Sequence, residues 1–283
     1  MNHIKLTTII LGLFLLGCKQ KEEKIIQSTN DNLINKKSEY TQNESDFVDN
    51  DSLEKDEITA IKNVINLFKQ KDNLKLAKFI SFPLQRKYPI PSIKNEEQLI
   101  LRFNEVFDKI LINKIANSKI EQWTKVGWRG IMFDNGTVWI SNSNGKIAAV
   151  NYQSSLEKKI WFQLVNNEKE NLHLSLKTFV QPTYKFKTKN YLIRIDELIN
   201  NKYRYASWKI GENESSKPDM ILDGGHLEFD GSGGNHVITF VNGNYKYKVY
   251  RNTMGGDNSP DITIEIDQEG KNILTQDGTL VIE

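Results

Sequence analysis

The chain has 283 residues and a formal charge of +2, from 38 basic and 36 acidic side chains. So even a balance sets up no long-range field toward nucleic acid, and no nucleic-acid partner is expected. One cysteine excludes a disulfide within the chain, whereas 5 Trp, 10 Tyr and 13 Phe supply aromatic surface for a core or for an aromatic-lined site.

The chain opens Met1-Asn2-His3-Ile4-Lys5 and continues with an apolar run from Leu6 to Gly17. At about a dozen residues the run suits a secretory leader and is short for a membrane span. Its end, Leu15-Leu16-Gly17-Cys18, resembles the bacterial lipobox. The resemblance implies a signal peptide over residues 1–17, cleavage before Cys18, a diacylglycerol on its thiol and an acylated amine. Two or more acyl chains anchor stably where one does not. The membrane is therefore the first expected partner, through lipid on Cys18, and the expected location is the outer membrane. Lys21-Glu22-Glu23 resembles the surface-export signal of Bacteroidetes lipoproteins, which implies display on the cell surface. A solvated charge cluster has the same composition.

Residues 18–52 are rich in Asn, Gln, Ser and charge, and their apolar residues keep no period. Such a stretch buries too little to offset the entropy of ordering and reads as a disordered tether. About 34 residues of coil reach roughly 30 Å. Asp51-Ser52-Leu53 resembles the Bacteroidetes O-glycosylation sequon, which implies a glycan on Ser52. Asp51 or Ser52 reads equally well as a helix cap.

A first folded region is expected over 53–180. Ile58, Ile61, Ile65 and Phe68 predict a helix to about Gln70, and Leu74, Leu76, Ala77 and Ile80 a shorter one. Asn95 is a cap for a third, with the stripe Leu99, Phe103, Val106, Phe107 and Ile110. The period then becomes two. Trp128–Phe133 and Thr137–Ser141 predict strands around the turn Asp134-Asn135-Gly136, and Lys146–Gln153 a third strand after Asn144-Gly145. Ser154 or Ser155 caps a helix carrying Leu156, Ile160 and Leu164, and a strand is expected over Leu172–Val180. Helices followed by a meander give an α+β class, with N-terminal helices packed on a curved antiparallel sheet. This order, with Lys71–Pro83 as second helix, resembles the cone-shaped nuclear transport factor (SnoaL-like) fold. That group holds both enzymes and non-catalytic binding domains, so the resemblance leaves function open.

Residues 190–283 read as short strands throughout. Tyr191, Ile193 and Ile195 alternate with Leu192, Arg194 and Asp196; Tyr203 and Tyr205 alternate with Arg204, Ala206 and Trp208. Val237–Val241 and Tyr245–Tyr250 flank Asn242-Gly243-Asn244, and Ile262, Ile264 and Ile266 share a face. Glu269-Gly270 and Asp277-Gly278 are expected turns. A small antiparallel β-barrel or sandwich follows. Tyr245-Lys246-Tyr247 and Ile266–Lys271 resemble the barrels of membrane-bound lysozyme inhibitors, although the disulfide of that family cannot form here.

No Gly-x-Ser-x-Gly, His-Glu-x-x-His or phosphate-loop pattern is present, so no catalytic residue, metal or cofactor is expected. His226 and His236 bracket a glycine-rich stretch, and with Asp230 or Glu228 inside it they are candidates to hold a divalent metal or another ligand. Their spacing fits no metal motif, and a ligand-binding loop competes with an ordinary turn. Trp123, Trp128, Arg129 and Trp139 either line a pocket mouth, where aromatics stack on sugars, or fill the core. The expected function is a non-catalytic lipoprotein of the envelope or cell surface, binding an extracytoplasmic protein or glycan. The alternatives are a hydrolase-like enzyme with a pocket in the α+β region and an inhibitor or immunity protein acting through the β-region.

Overall fold

The structure, a computed structural model, describes residues 52–231, 233–253 and 258–281. The expected signal peptide, lipidation at Cys18, export signal and tether up to Asp51 lie outside the described residues. Ser52 is described and is exposed.

Helix α1 (Lys55–Gln70) forms as its period requires and buries Ile61, Val64, Ile65, Leu67 and Phe68. Its cap is Glu54 rather than Asp51 or Ser52: the Glu57 carboxylate accepts the Glu54 N–H at 2.8 Å. Asp72 caps α2 (Asn73–Lys78), accepting the Lys75 N–H at 3.0 Å. The single helix expected after Asn95 is three: α3 (Glu96–Leu101), α4 (Phe103–Val106) and α5 (Lys109–Ala116). Phe107 leaves helical backbone, and Asp108 starts a new cap by accepting the Leu111 N–H at 2.9 Å. The restart turns Ile110 out to solvent and puts Leu111 and Ile115 in the core.

Strands β1 (Trp123–Lys125), β2 (Ile131–Phe133), β3 (Val138–Ile140) and β4 (Ile147–Val150) form an antiparallel sheet in that order. The strand expected from Trp128 begins only at Ile131, because Gly127–Arg129 make one tight helical turn. Gly130 follows at φ 107°, and a Cβ there would lie 2.2 Å from the Ile140 carbonyl oxygen. Asp134 and Asn135 both take positive φ and make the expected hairpin turn. One core joins residues of α1–α5 to inward residues of all four strands, among them Phe68, Leu99, Phe107, Ile131, Ile140 and Ile147.

Helix α6 (Ser155–Asn171) is capped by Ser154, whose Oγ accepts the Glu157 N–H at 3.0 Å. Its buried stripe is Glu157, Trp161 and Val165, one residue on from the expected Leu156, Ile160 and Leu164. The reason is Arg86. Its guanidinium donates two bonds of 2.6 Å to the Glu157 carboxylate, and two more to the carbonyls of Val150 (2.6 Å) and Tyr152 (2.9 Å). A carboxylate so fully engaged packs as a core group. Residues 172–180 do not form the expected strand: Leu174–Leu176 make a helical turn that leads into the first barrel strand.

Eight strands follow: β5 (Gln181–Lys187), β6 (Tyr191–Glu197), β7 (Tyr203–Lys209), β8 (Met220–Phe229), β9 (His236–Asn242), β10 (Tyr245–Arg251), β11 (Ile262–Gln268) and β12 (Lys271–Leu280). Each pairs antiparallel with the next, and β12 pairs with β5, so the sheet closes into a barrel rather than a sandwich. The protein is thus α+β, with a four-stranded antiparallel sheet and a closed eight-stranded barrel. Phe186, Ile193, Ile195, Ile238, Phe240, Val249 and Ile264 fill the barrel interior. Asp277-Gly278 is no turn but part of β12; a Cβ on Gly278 would lie 2.7 Å from the Phe186 ring. Gly225 in β8 makes the same room for Phe240.

The outer faces of β5–β7 are covered. Trp161 and Val165 of α6 pack with Ile90, Leu172, Leu176 and Phe179 against Ala206 and Trp208. Beside them lies a buried ionic network. Asp196 receives Arg194 at 2.8 Å and Arg204 at 2.7 Å; Arg194 also meets Glu168 of α6 at 2.9 Å, and Lys185 meets Glu214 at 3.0 Å. The described residues belong to one compact unit. Among the described residues no helix is long and apolar enough to cross a membrane.

Candidate functional site

Alternation along β3 sends Val138 and Ile140 into the core and Trp139 to the opposite face of the sheet, opposite Met132 of β2. The Trp139 Nε1 donates to the Gly136 carbonyl at 3.0 Å, which fixes the ring. The Arg129 guanidinium lies 5.7 Å from the centre of that ring, within cation–π range. Trp128 is next in chain and 65% exposed. Its turn is held to the end of β3 by Asn142, whose Nδ2 donates to the Gly127 carbonyl at 3.0 Å. Trp123 goes the other way. It is buried, stacks on Phe133 at 4.8 Å and donates its Nε1 to Ser118 at 3.0 Å. Of the four residues singled out in the sequence, Arg129 and Trp139 come together on the outer face of the sheet, Trp128 is exposed on the turn that carries Arg129, and Trp123 is core.

His226 and His236 lie on paired strands but face opposite sides of the barrel wall. His226 pairs with Thr239 and is exposed, 3.9 Å from Glu228. His236 shares the inner face with Ile238 and Phe240. Asp230 is exposed in the intervening turn, where its N–H donates to the Asn235 carbonyl at 2.8 Å. The three do not converge. Among the described residues no group of three or more His, Cys, Asp or Glu can hold a metal ion. A hollow of about 430 Å³ beside α1 is lined by Lys62, Lys69, Lys119 and Glu121, all of them exposed.

The sequence singled out His236 but not the residues that meet it at this end of the barrel. Tyr184 of β5 and Phe229 of β8 face the same interior, with rings 6.1 Å and 5.8 Å from that of His236. Tyr184 is 7% exposed, whereas Phe229 is 67% exposed at the rim. Arg251 follows Tyr247 and Val249 on the inner face of β10 and donates its Nη1 to the carbonyls of Asn252 (3.0 Å) and Asp261 (2.9 Å). The His236 Nδ1 lies 3.0 Å from the Gly234 carbonyl oxygen. A carbonyl only accepts, so Nδ1 carries the proton and Nε2 is an acceptor. That Nε2 and the Tyr184 Oη are both buried without a hydrogen-bond partner. Burial pulls His236 below the usual imidazole range, the Gly234 bond partly opposing and Arg251 adding to the shift. Burial holds the Tyr184 phenol well above its ordinary value, with Arg251 working against it. One signal was legible: Arg251 is a charge in register with the apolar positions of its strand.

No family model matches the chain, and neither does any curated protein or solved structure.

Proposed function

We propose that the chain is a lipid-anchored lipoprotein of the outer membrane that displays a non-catalytic binding module at the cell surface. The module takes an extracytoplasmic glycan on the face formed by Trp128, Arg129 and Trp139. In this reading α1–α5 cover one side of a curved, cone-like sheet, and the aromatic face looks outward.

One observation carries the reading: Trp128 stands 65% exposed on a turn held by a hydrogen bond, beside an arginine lying over a second indole. Burying the rest of such a ring contributes about 2 kcal/mol, and a flat indole suits the C–H face of a sugar. Arg129 adds donors for hydroxyl groups. The lipobox-like Leu15–Cys18 and the polar stretch behind it support placement outside the membrane.

The test has two arms. On an array of immobilised bacterial and host glycans, the purified chain should bind a subset, and Trp128→Ala should weaken that binding about tenfold with thermal stability unchanged. Equal binding by the variant, or none by the wild type, overturns the glycan assignment. Labelled palmitate should enter the wild type and not Cys18→Ala; equal labelling removes the anchor.

A further inference from the structure

We propose that the end of the barrel at Phe229 and His236 is a second site, which takes the hydroxyl groups of a neutral sugar or polyol between Tyr184, His236 and Arg251. The argument starts from the two unpartnered atoms. The His236 Nε2 is a buried acceptor and needs a donor; the Tyr184 hydroxyl is buried and offers one. A buried polar group without a partner costs more than a bond contributes, so a ligand that satisfies both is favoured. A hydroxyl group gives one hydrogen bond and takes another, which matches this pair.

Charge narrows the class. Arg251 is a cation facing this end, and its Nη1 donates to the backbone carbonyl of Asp261 at 2.9 Å. The buried Glu197 carboxylate continues the inner face of β6 from Ile193 and Ile195, so charges of both signs stand at this end and a neutral ligand is favoured over a free anion or an ammonium. Phe229 supplies the remaining feature: an exposed ring at the rim, 5.8 Å from His236, on which the C–H face of a sugar can lie. Entry past Phe229 puts hydroxyl groups at the inner pair. The site is separate from the aromatic face of the four-stranded sheet and shares no residue with it.

The experiment is a titration of the full chain, in detergent micelles, with D-glucose, followed by the imidazole nitrogen resonances. Millimolar glucose should move the His236 Nε2 signal toward the hydrogen-bonded acceptor position and leave its tautomer unchanged. Tyr184→Phe keeps the ring and removes the hydroxyl; it should weaken the response about tenfold while the fold is retained. Trp128→Ala should respond like the wild type, so that failure at the aromatic face and failure here are told apart. Four outcomes overturn the proposal: no response to glucose, as a site holding water alone would give; an equal response in Tyr184→Phe; a response to acetate as strong as to glucose, which marks an anion site; or loss of the response in Trp128→Ala.

Discussion

Arg86 and Glu157 are 2% and 0% exposed, yet both are charged groups. Each is tolerated because the other is present and because the carbonyls of Val150 and Tyr152 take the spare guanidinium donors. Glu157→Ala should therefore destabilise the protein by about 3–5 kcal/mol, since it strands a buried cation. Urea unfolding measures this as a lower midpoint at unchanged slope. The same pair explains why the stripe of α6 was misplaced by one residue. Sequence periodicity counts glutamate as polar, and only the distant Arg86 makes it a core residue. Trp128 and Trp139 show the converse. Their position on and beside a hairpin could be read from the chain, but Trp123 could be assigned to the core only once β1 was seen to pair Trp123 with Phe133. Tyr184 and His236 were not legible as a pair, because they come from strands far apart in the chain.

At the scale of elements, local rules worked where they were strong. Asp134-Asn135 gave the hairpin, and alternation placed the central residues of β6, β7, β10 and β11. They failed where a long-range contact outweighed them. Asp277-Gly278 has the composition of a turn, but Gly278 serves as space for Phe186, and the strand runs straight through it. Gly278→Ala should cost about 1–3 kcal/mol by overpacking, read as a lower melting temperature. Adding Phe186→Leu should recover part of the loss, because the clash is with that ring. The helix expected after Asn95 broke at Phe107 for a local reason that was present in the sequence: Asp108 is itself a good cap.

Across the whole molecule, the decisive contact is between α6 and the outside of the barrel. Alternation put Arg194, Asp196 and Arg204 on the face away from the barrel core, which reads as solvent. Their burial comes from Trp161, Val165 and Glu168 arriving from another part of the chain, a fact no strand pattern carries. Because the two parts share that apolar cluster and that network, heat should unfold residues 53–281 in one transition, with far- and near-ultraviolet dichroism coincident. Asp196→Ala leaves Arg194 and Arg204 without their common carboxylate. It should lower stability by about 3–5 kcal/mol and separate the helical signal from the barrel signal. Coincident curves in the variant would show that the apolar cluster alone couples the parts.

The ring of strands is fastened unevenly. Seven residue pairs join β6 to β7, whereas among the described residues β12 meets β5 at two, Thr279 with Lys187 and Leu280 with Phe186, and the Val281 N–H adds one bond to the Lys185 carbonyl at 2.8 Å. The clasp is therefore both the shortest joint and the one between the first strand made and the last. Until a ribosome has delivered Leu280, the whole meander is an open ribbon with two raw margins, each able to seize a neighbouring chain. A message cut a few codons early would yield an adhesive sheet in place of a closed ring.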